Sequence, residues 1–155
     1  MVVIRGRVIK GKGGYGKASH SSEVAAYFQN TPVRGTLNIA LDQPVRLRHA
    51  KALISMIWPS YIGGIPCLIT RTSHTPLHIV EVISDEQLPC TRGDRVTLVI
   101  PRGCTVDLPP IHHTIWKVFY GYGRTHWYEY KIYRRLLGPF YFVRRLSIQD
   151  PKRPD

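Results

Sequence analysis

Alternation of apolar and polar positions is the first signal along the chain. Val2 to Ile9 sets Val and Ile at close intervals, with Arg5 and Arg7 projecting to the alternate face, which is the period of a half-buried strand. The run stops at glycine. Ser21 or Ser22, with Glu23 in the first turn, opens a short helix that carries Val24, Tyr27 and Phe28 on one stripe, and Asn30-Thr31-Pro32 closes it. Thr36 to Leu41, Ile65 to Thr70, Leu77 to Ile83 and Val96 to Ile100 are short β-branched or aliphatic runs, with a turn at Arg92-Gly93-Asp94 before the last. Many short strands and one helix predict a mainly β chain folded as a barrel. Ala50 to Trp58 fits helix or strand equally, because its apolar run has no clear period.

Beyond Pro109-Pro110 the runs Ile115 to Tyr120, His126 to Tyr133 and Phe140 to Leu146 are aromatic and β-prone. Gly121-Tyr122-Gly123 and Gly138-Pro139 punctuate them. They predict two or three further strands, a C-terminal β extension over residues 101–149 packed on a barrel formed by residues 1–100. Residues 150–155 are polar and proline-rich, and are expected to be a disordered tail. No internal repeat is visible.

Composition narrows the class. The 155 residues are 43% hydrophobic, enough for a single core without staples. Cys67, Cys90 and Cys104 are odd in number and widely spaced, so neither a disulfide framework nor a zinc ribbon is indicated. With no apolar run long enough to span a bilayer, a cytoplasmic protein is expected. The formal charge of +12 favours anionic partners: nucleotides, nucleic acid or an acidic surface. Residues 1–100 hold 12 basic and 6 acidic side chains, residues 101–155 hold 10 and 4, and 11 of the 16 aromatics follow residue 100. The C-terminal third is thus more basic and more aromatic than the rest.

Two segments carry candidate chemistry. Gly11-Lys12-Gly13-Gly14-Tyr15-Gly16 exposes backbone N–H groups that can form a concave nest for phosphate, and Lys12 and Lys17 add charge. An ordinary flexible loop accounts for the same residues, since neither the Walker pattern nor the dinucleotide fingerprint is matched. In Gly35-Thr36-Leu37-Asn38 the Thr36 hydroxyl and Asn38 amide project to one side of a strand, because residues i and i+2 share a face. Two hard oxygens beside a phosphate nest suit Mg²⁺, although a capped strand start is the plainer account.

Taken in order, the strand, the Gly11 to Gly16 loop, the helix and Gly35-Thr36-Leu37-Asn38 resemble the archaeal CTP-dependent riboflavin kinase family. Thr72-Ser73-His74, the strand His78 to Ile83 and Gly93-Asp94 before Val96 are similar to that family's second half, so the resemblance covers about residues 2–100. It implies a six-stranded cradle-loop barrel that transfers a phosphoryl group from CTP to the ribityl hydroxyl of riboflavin, with Mg²⁺ as cofactor. By the resemblance, Gly11, Lys12, Gly13, Gly14, Tyr15, Gly16 and Lys17 cradle the nucleotide phosphates and Thr36 and Asn38 hold Mg²⁺. Asn38 and Glu81 are the catalytic residues, and Thr72, His74 and Glu81 contact the alcohol substrate. Glu81 reads equally well as a strand carboxylate paired with an arginine.

The chain departs from the family in three places. The glycine loop is one residue longer, an extra residue separates His74 from Glu81, and Ser84 to Arg92 is shorter and lacks a Leu-Arg pair that helps hold the nucleotide. The donor base and the acceptor therefore stay open. Residues from about 101 onward have no counterpart in the family core.

A rival reading comes from Trp116 to Tyr120 and Trp127 to Arg135, where Arg, Lys and aromatics interleave as in single-strand nucleic-acid binders. An aromatic hairpin face packed on the barrel explains the same pattern. His74 with His78, and His112-His113, lack carboxylate or cysteine partners at ligand spacing. Nothing marks any of the three cysteines as a nucleophile.

Overall fold

A computed structural model describes residues 1–11, 22–48, 57–71 and 75–137, except for the side chain of Glu23. Six antiparallel strands close into a barrel in the order β1-β2-β6-β5-β4-β7: β1 Val2–Ile9, β2 Leu37–Leu41, β4 Ile57–Ile62, β5 Ile65–Thr70, β6 Ile79–Ile83 and β7 Arg95–Ile100. A two-residue strand β3, Arg46–Leu47, pairs with β8, Thr105–Val106, beside the barrel. Helix α1 spans Ser22–Tyr27. The chain is mainly β, as its alternation predicts.

Alternate residues of each strand fill the barrel. Ile4 and Val8 of β1, Ile39 and Leu41 of β2, Ile69 of β5, Val80 and Val82 of β6, and Leu98 and Ile100 of β7 form one buried cluster. At Gly6 a β-carbon would stand 2.7 Å from the Ala40 carbonyl oxygen and from Ile39 Cγ2, so β1 approaches β2 this closely only without a side chain.

The outward face of the wall is covered in two places. Val24, within α1, and Phe28, just beyond its end, cover Ile57, Leu68 and Ile83. On the other side Ile9, Ala40 and Ile79 are covered by Trp116, Tyr120 and Tyr128. Those aromatics do not lie on strands, which corrects the expected C-terminal β extension. Pro110–Tyr120 is helix α2, Thr125–Glu129 is a 3-10 turn and Lys131–Leu137 is helix α3. The physical reason is spacing: Trp116 and Tyr120 are buried at i and i+4, one face of a helix. Pro110 at the first helical position and Gly121 just past the end frame that helix in the usual sense. Phe140 to Leu146 and residues 150–155 lie outside the described residues. No helix among the described residues is long and apolar enough to cross a membrane.

His78 anchors the helical region to the barrel. Fully buried, it meets the Trp116 and Tyr120 rings at centroid distances of 5.7 and 4.3 Å, and its Nε2 lies 3.1 Å from the Thr125 carbonyl. That acceptor requires Nε2 to carry the proton, leaving Nδ1 as a bare lone pair. Burial, reinforced by the Arg71 charge, pushes the imidazole pKa down to about 3 against the pull of the Thr125 contact. The unfolded chain takes up this proton near pH 6.5 and the folded chain does not, so stability is lost as pH falls from about 6.5 toward 3. The loss is at most about 1.4 kcal/mol per pH unit. Urea midpoints measured between pH 7.5 and 4.5 are expected to fall more steeply for the wild type than for His78→Phe. Parallel slopes would show that His78 takes up its proton equally in the folded and unfolded states, so that burial does not lower its pKa.

Candidate functional site

One end of the barrel gathers the segments with candidate chemistry. Strand β1 ends there, β2 begins there and β6 ends there, because Ile9 pairs with Asn38 and Leu37 with Val82. The Gly93-Asp94 turn joins them: Gly93 N–H donates to the Val8 carbonyl and Val8 N–H to the Asp94 carbonyl, each at 2.9 Å.

Strand register brings the polar residues together. Asn38 stands opposite Glu81 on β6, and Glu81 stands opposite Thr70 on β5. Directly opposed residues face the same side of a sheet, so Ile9, Asn38, Glu81, Thr70 and Ile57 form one row on the outward face. Ile9 belongs to the apolar cluster under α2 and Ile57 to the one by α1. Asn38 and Glu81, both half-buried, therefore form a polar notch between two apolar covers. The Thr36 hydroxyl donates to Glu81 Oε2 at 3.5 Å, completing a convergence of three oxygen-bearing side chains. Glu81 forms no ion pair with arginine or lysine among the described residues.

Gly11 overhangs this notch. A β-carbon at residue 11 would stand 2.8 Å from Asn38 Nδ2, so the glycine loop starts directly against the Asn38 amide. Lys12, Gly13, Gly14, Tyr15, Gly16 and Lys17 lie outside the described residues, as do Thr72 and His74. Of the residues read from the sequence, the structure thus brings together Gly11, Thr36, Asn38 and Glu81.

Three participants escaped the sequence reading. Thr70, 8% exposed, extends the polar row. A cavity of about 200 Å³ opens next to Thr36, lined by Arg34, Leu37, Val82, Glu86 and Leu88 among others. Its far wall comes from the segment Ser84 to Cys90, where the resemblance failed. Glu129 is the third: its Oε2 accepts the Lys10 backbone N–H at 3.0 Å and its two oxygens take Arg92 at 3.0 and 3.3 Å. Partial burial alone would raise the Glu129 carboxyl, but hydrogen bonds from Arg92 and Lys10 and the arginine's charge hold it below the usual carboxylate range. It fixes the residue from which the glycine loop departs. A signal existed, since Glu129 is the lone carboxylate in the basic, aromatic stretch 116–135.

The other candidates resolve more simply. Among the described residues no group of three His, Cys, Asp or Glu side chains could hold a metal ion. Burial pushes the Cys67 thiol up to about 11, against hydrogen bonds with Ser60 and the Ile62 backbone that lower it, so Cys67 is a core residue and no thiolate. Compared with protein-family models and with curated proteins, the sequence matches none.

Proposed function

We propose that this protein is a Mg²⁺-dependent phosphotransferase that passes a phosphoryl group from a nucleoside triphosphate, CTP by the family resemblance, to riboflavin or a related alcohol. The observation that supports it best is the convergence of Thr36, Asn38 and Glu81 at the root of the Gly11 loop. These oxygens fit a hard divalent cation, which takes a few protein oxygens and completes its shell with water and phosphate. A cation held by these residues would supply charge neutralisation for the transferring phosphoryl group.

The chain's own residues supply the rest. Thr36, just before β2, and Asn38, within it, would hold the cation at the start of that strand. Glu81, without an arginine or lysine partner among the described residues, is open to accept a hydrogen bond from the acceptor hydroxyl and orient it. The cavity beside Thr36 offers the donor's base a polar wall in Arg34 and Glu86. Glu129 holds the Lys10 backbone, one residue before Gly11. Such a sparse site suits phosphoryl transfer, in which positioning and charge neutralisation do most of the catalytic work.

The deciding experiment incubates the protein with Mg²⁺, riboflavin and each of CTP, ATP, GTP and UTP separately, and scores FMN by mass spectrometry. FMN from CTP alone is the expected result. FMN from another donor would move the base preference into the altered segment Ser84 to Cys90. Absence of FMN with all four donors would overturn riboflavin as the acceptor.

A further inference from the structure

A second cleft lies away from the notch, between the barrel's outer wall and the turn after α2. It holds about 310 Å³ and is walled by Arg7, Asp42, Arg95, Trp116, Lys117 and Tyr122 among others. Arg7 and Arg95 face each other across β1 and β7, a like-charge pairing that sheets ordinarily avoid. Asp42 neutralises only Arg95, gripping it through both carboxylate oxygens. Arg7 has no acidic partner among the described residues, and Lys117 adds a second uncompensated cation to the same cleft.

At the lip stands Tyr122, 80% exposed, with φ of 55°. A bulky side chain in the left-handed region costs free energy, and an outlier of this kind is a reason to look for function. The strain turns an aromatic ring out into water, with Lys117 Nζ 5.4 Å and Arg124 Cζ 6.0 Å from its centre. In the cleft wall Trp116 is 8% exposed, and its Nε1 N–H meets no acceptor among the described residues.

From these features we infer that the cleft binds single-stranded nucleic acid, with Tyr122 stacking on a base and Arg7 and Lys117 neutralising the adjoining phosphates. The chemistry selects this ligand among anions. A phospholipid headgroup or an acidic peptide would use the cations and leave the ring idle. Duplex bases are already stacked on each other and present no free face, whereas unpaired bases do. A concave site of this size admits one nucleotide at a time.

The test is fluorescence anisotropy with a labelled 12-nucleotide single strand over a salt series, on the full chain. Tyr122→Ala is expected to weaken binding about 5- to 150-fold, the span that one stacked base contributes, and Tyr122→Phe to restore it. Arg7→Gln and Lys117→Gln are each expected to lower the log–log salt slope by about 0.7. Lys131→Gln removes an equally exposed charge outside the cleft and is expected to leave affinity at this site unchanged. The inference is overturned if Tyr122→Ala binds like the wild type, if Lys131→Gln weakens binding as much as Arg7→Gln, or if a duplex of equal length binds as tightly. Circular dichroism and the urea midpoint establish that each variant is folded. A variant that fails this check is replaced by Tyr122→Ser or Arg7→Met and held to the same outcomes.

Discussion

Asn38→Ala is expected to lower FMN formation by about a hundredfold or more while leaving the barrel intact. Side chains that only support a metal ligand already cost about 10- to 100-fold when removed, and the proposal makes Asn38 a ligand itself. The geometry sharpens the expectation. Asn38 is half-buried on the outward face, so alanine opens no cavity in the barrel core, and its amide is what Gly11 rests against. On the proposed function, loss of the amide would remove a cation ligand together with the group that Gly11 rests against. Two signatures separate this role from a structural one: the Mg²⁺ concentration for half-maximal rate rises, and the urea midpoint stays near the wild-type value. Asn38→Asp, which keeps the oxygen, is expected to retain much more activity than alanine. Undiminished Mg²⁺-dependent turnover in Asn38→Ala would show that the notch is not where the cation sits.

Arg71→Met is expected to cost about 3 kcal/mol or more of stability. The side chain is 2% exposed, and its guanidinium donates to the carbonyls of Ile79 at 2.9 Å, Val45 at 2.7 Å and Leu77 at 2.8 Å. Burial pulls its pKa down to about 9, which still leaves it charged at neutral pH. Methionine fills much of the volume but strands the Ile79 and Val45 carbonyls, each worth about 1–3 kcal/mol when left without a donor in a dry site, and takes from the Leu77 carbonyl one of its two donors, the Val45 N–H at 2.9 Å remaining. Relief from burying a charge offsets part of that sum. With a urea slope of about 2 kcal/mol per molar, the midpoint falls by about 1.5 M or more. Arg71→Lys is expected to rescue little, because an ammonium cannot match a planar fork aimed at three acceptors. An unchanged midpoint in Arg71→Met would mean that water reaches those carbonyls.

Legibility of the fold followed the clarity of each period. Val2–Ile9 and Ile65–Thr70 emerged with their observed bounds, since alternation and glycine or proline punctuation agreed. Strand β4 was missed beyond Trp58 because Pro59 and Ser60 interrupt the apolar run. Ser60 is fully buried in the structure, its hydroxyl satisfied by the Cys67 carbonyl at 3.3 Å, a compensation invisible before β4 and β5 are paired. The C-terminal error had a different origin. Aromatic and β-branched residue types there favour strands, whereas the i, i+4 pair Trp116 and Tyr120, between Pro110 and Gly121, spells a helix.

The notch was half legible. That Thr36 and Asn38 share a side follows from the strand period alone. That Glu81 stands opposite Asn38 depends on the register of β2 against β6, which joins residues 43 positions apart and which no local pattern specifies. Glu129 required more still, because its partners Lys10 and Arg92 come from opposite ends of the barrel sequence.

Closure of the barrel by its first and last strands sets a timetable for folding. Val2 pairs with Ile100, so β1, the earliest of the barrel's strands in the chain, must wait for nearly the whole barrel before one of its two neighbours exists. Pairings of such long sequence separation make folding slow, on the order of milliseconds to seconds, and leave β1 with an open edge in the meantime. The exposed Arg5 and Arg7 on that strand then act as gatekeepers during the wait, since like charges on an unpaired edge discourage two nascent chains from joining. Charge that serves the folded wall thus also protects the chain before there is a wall.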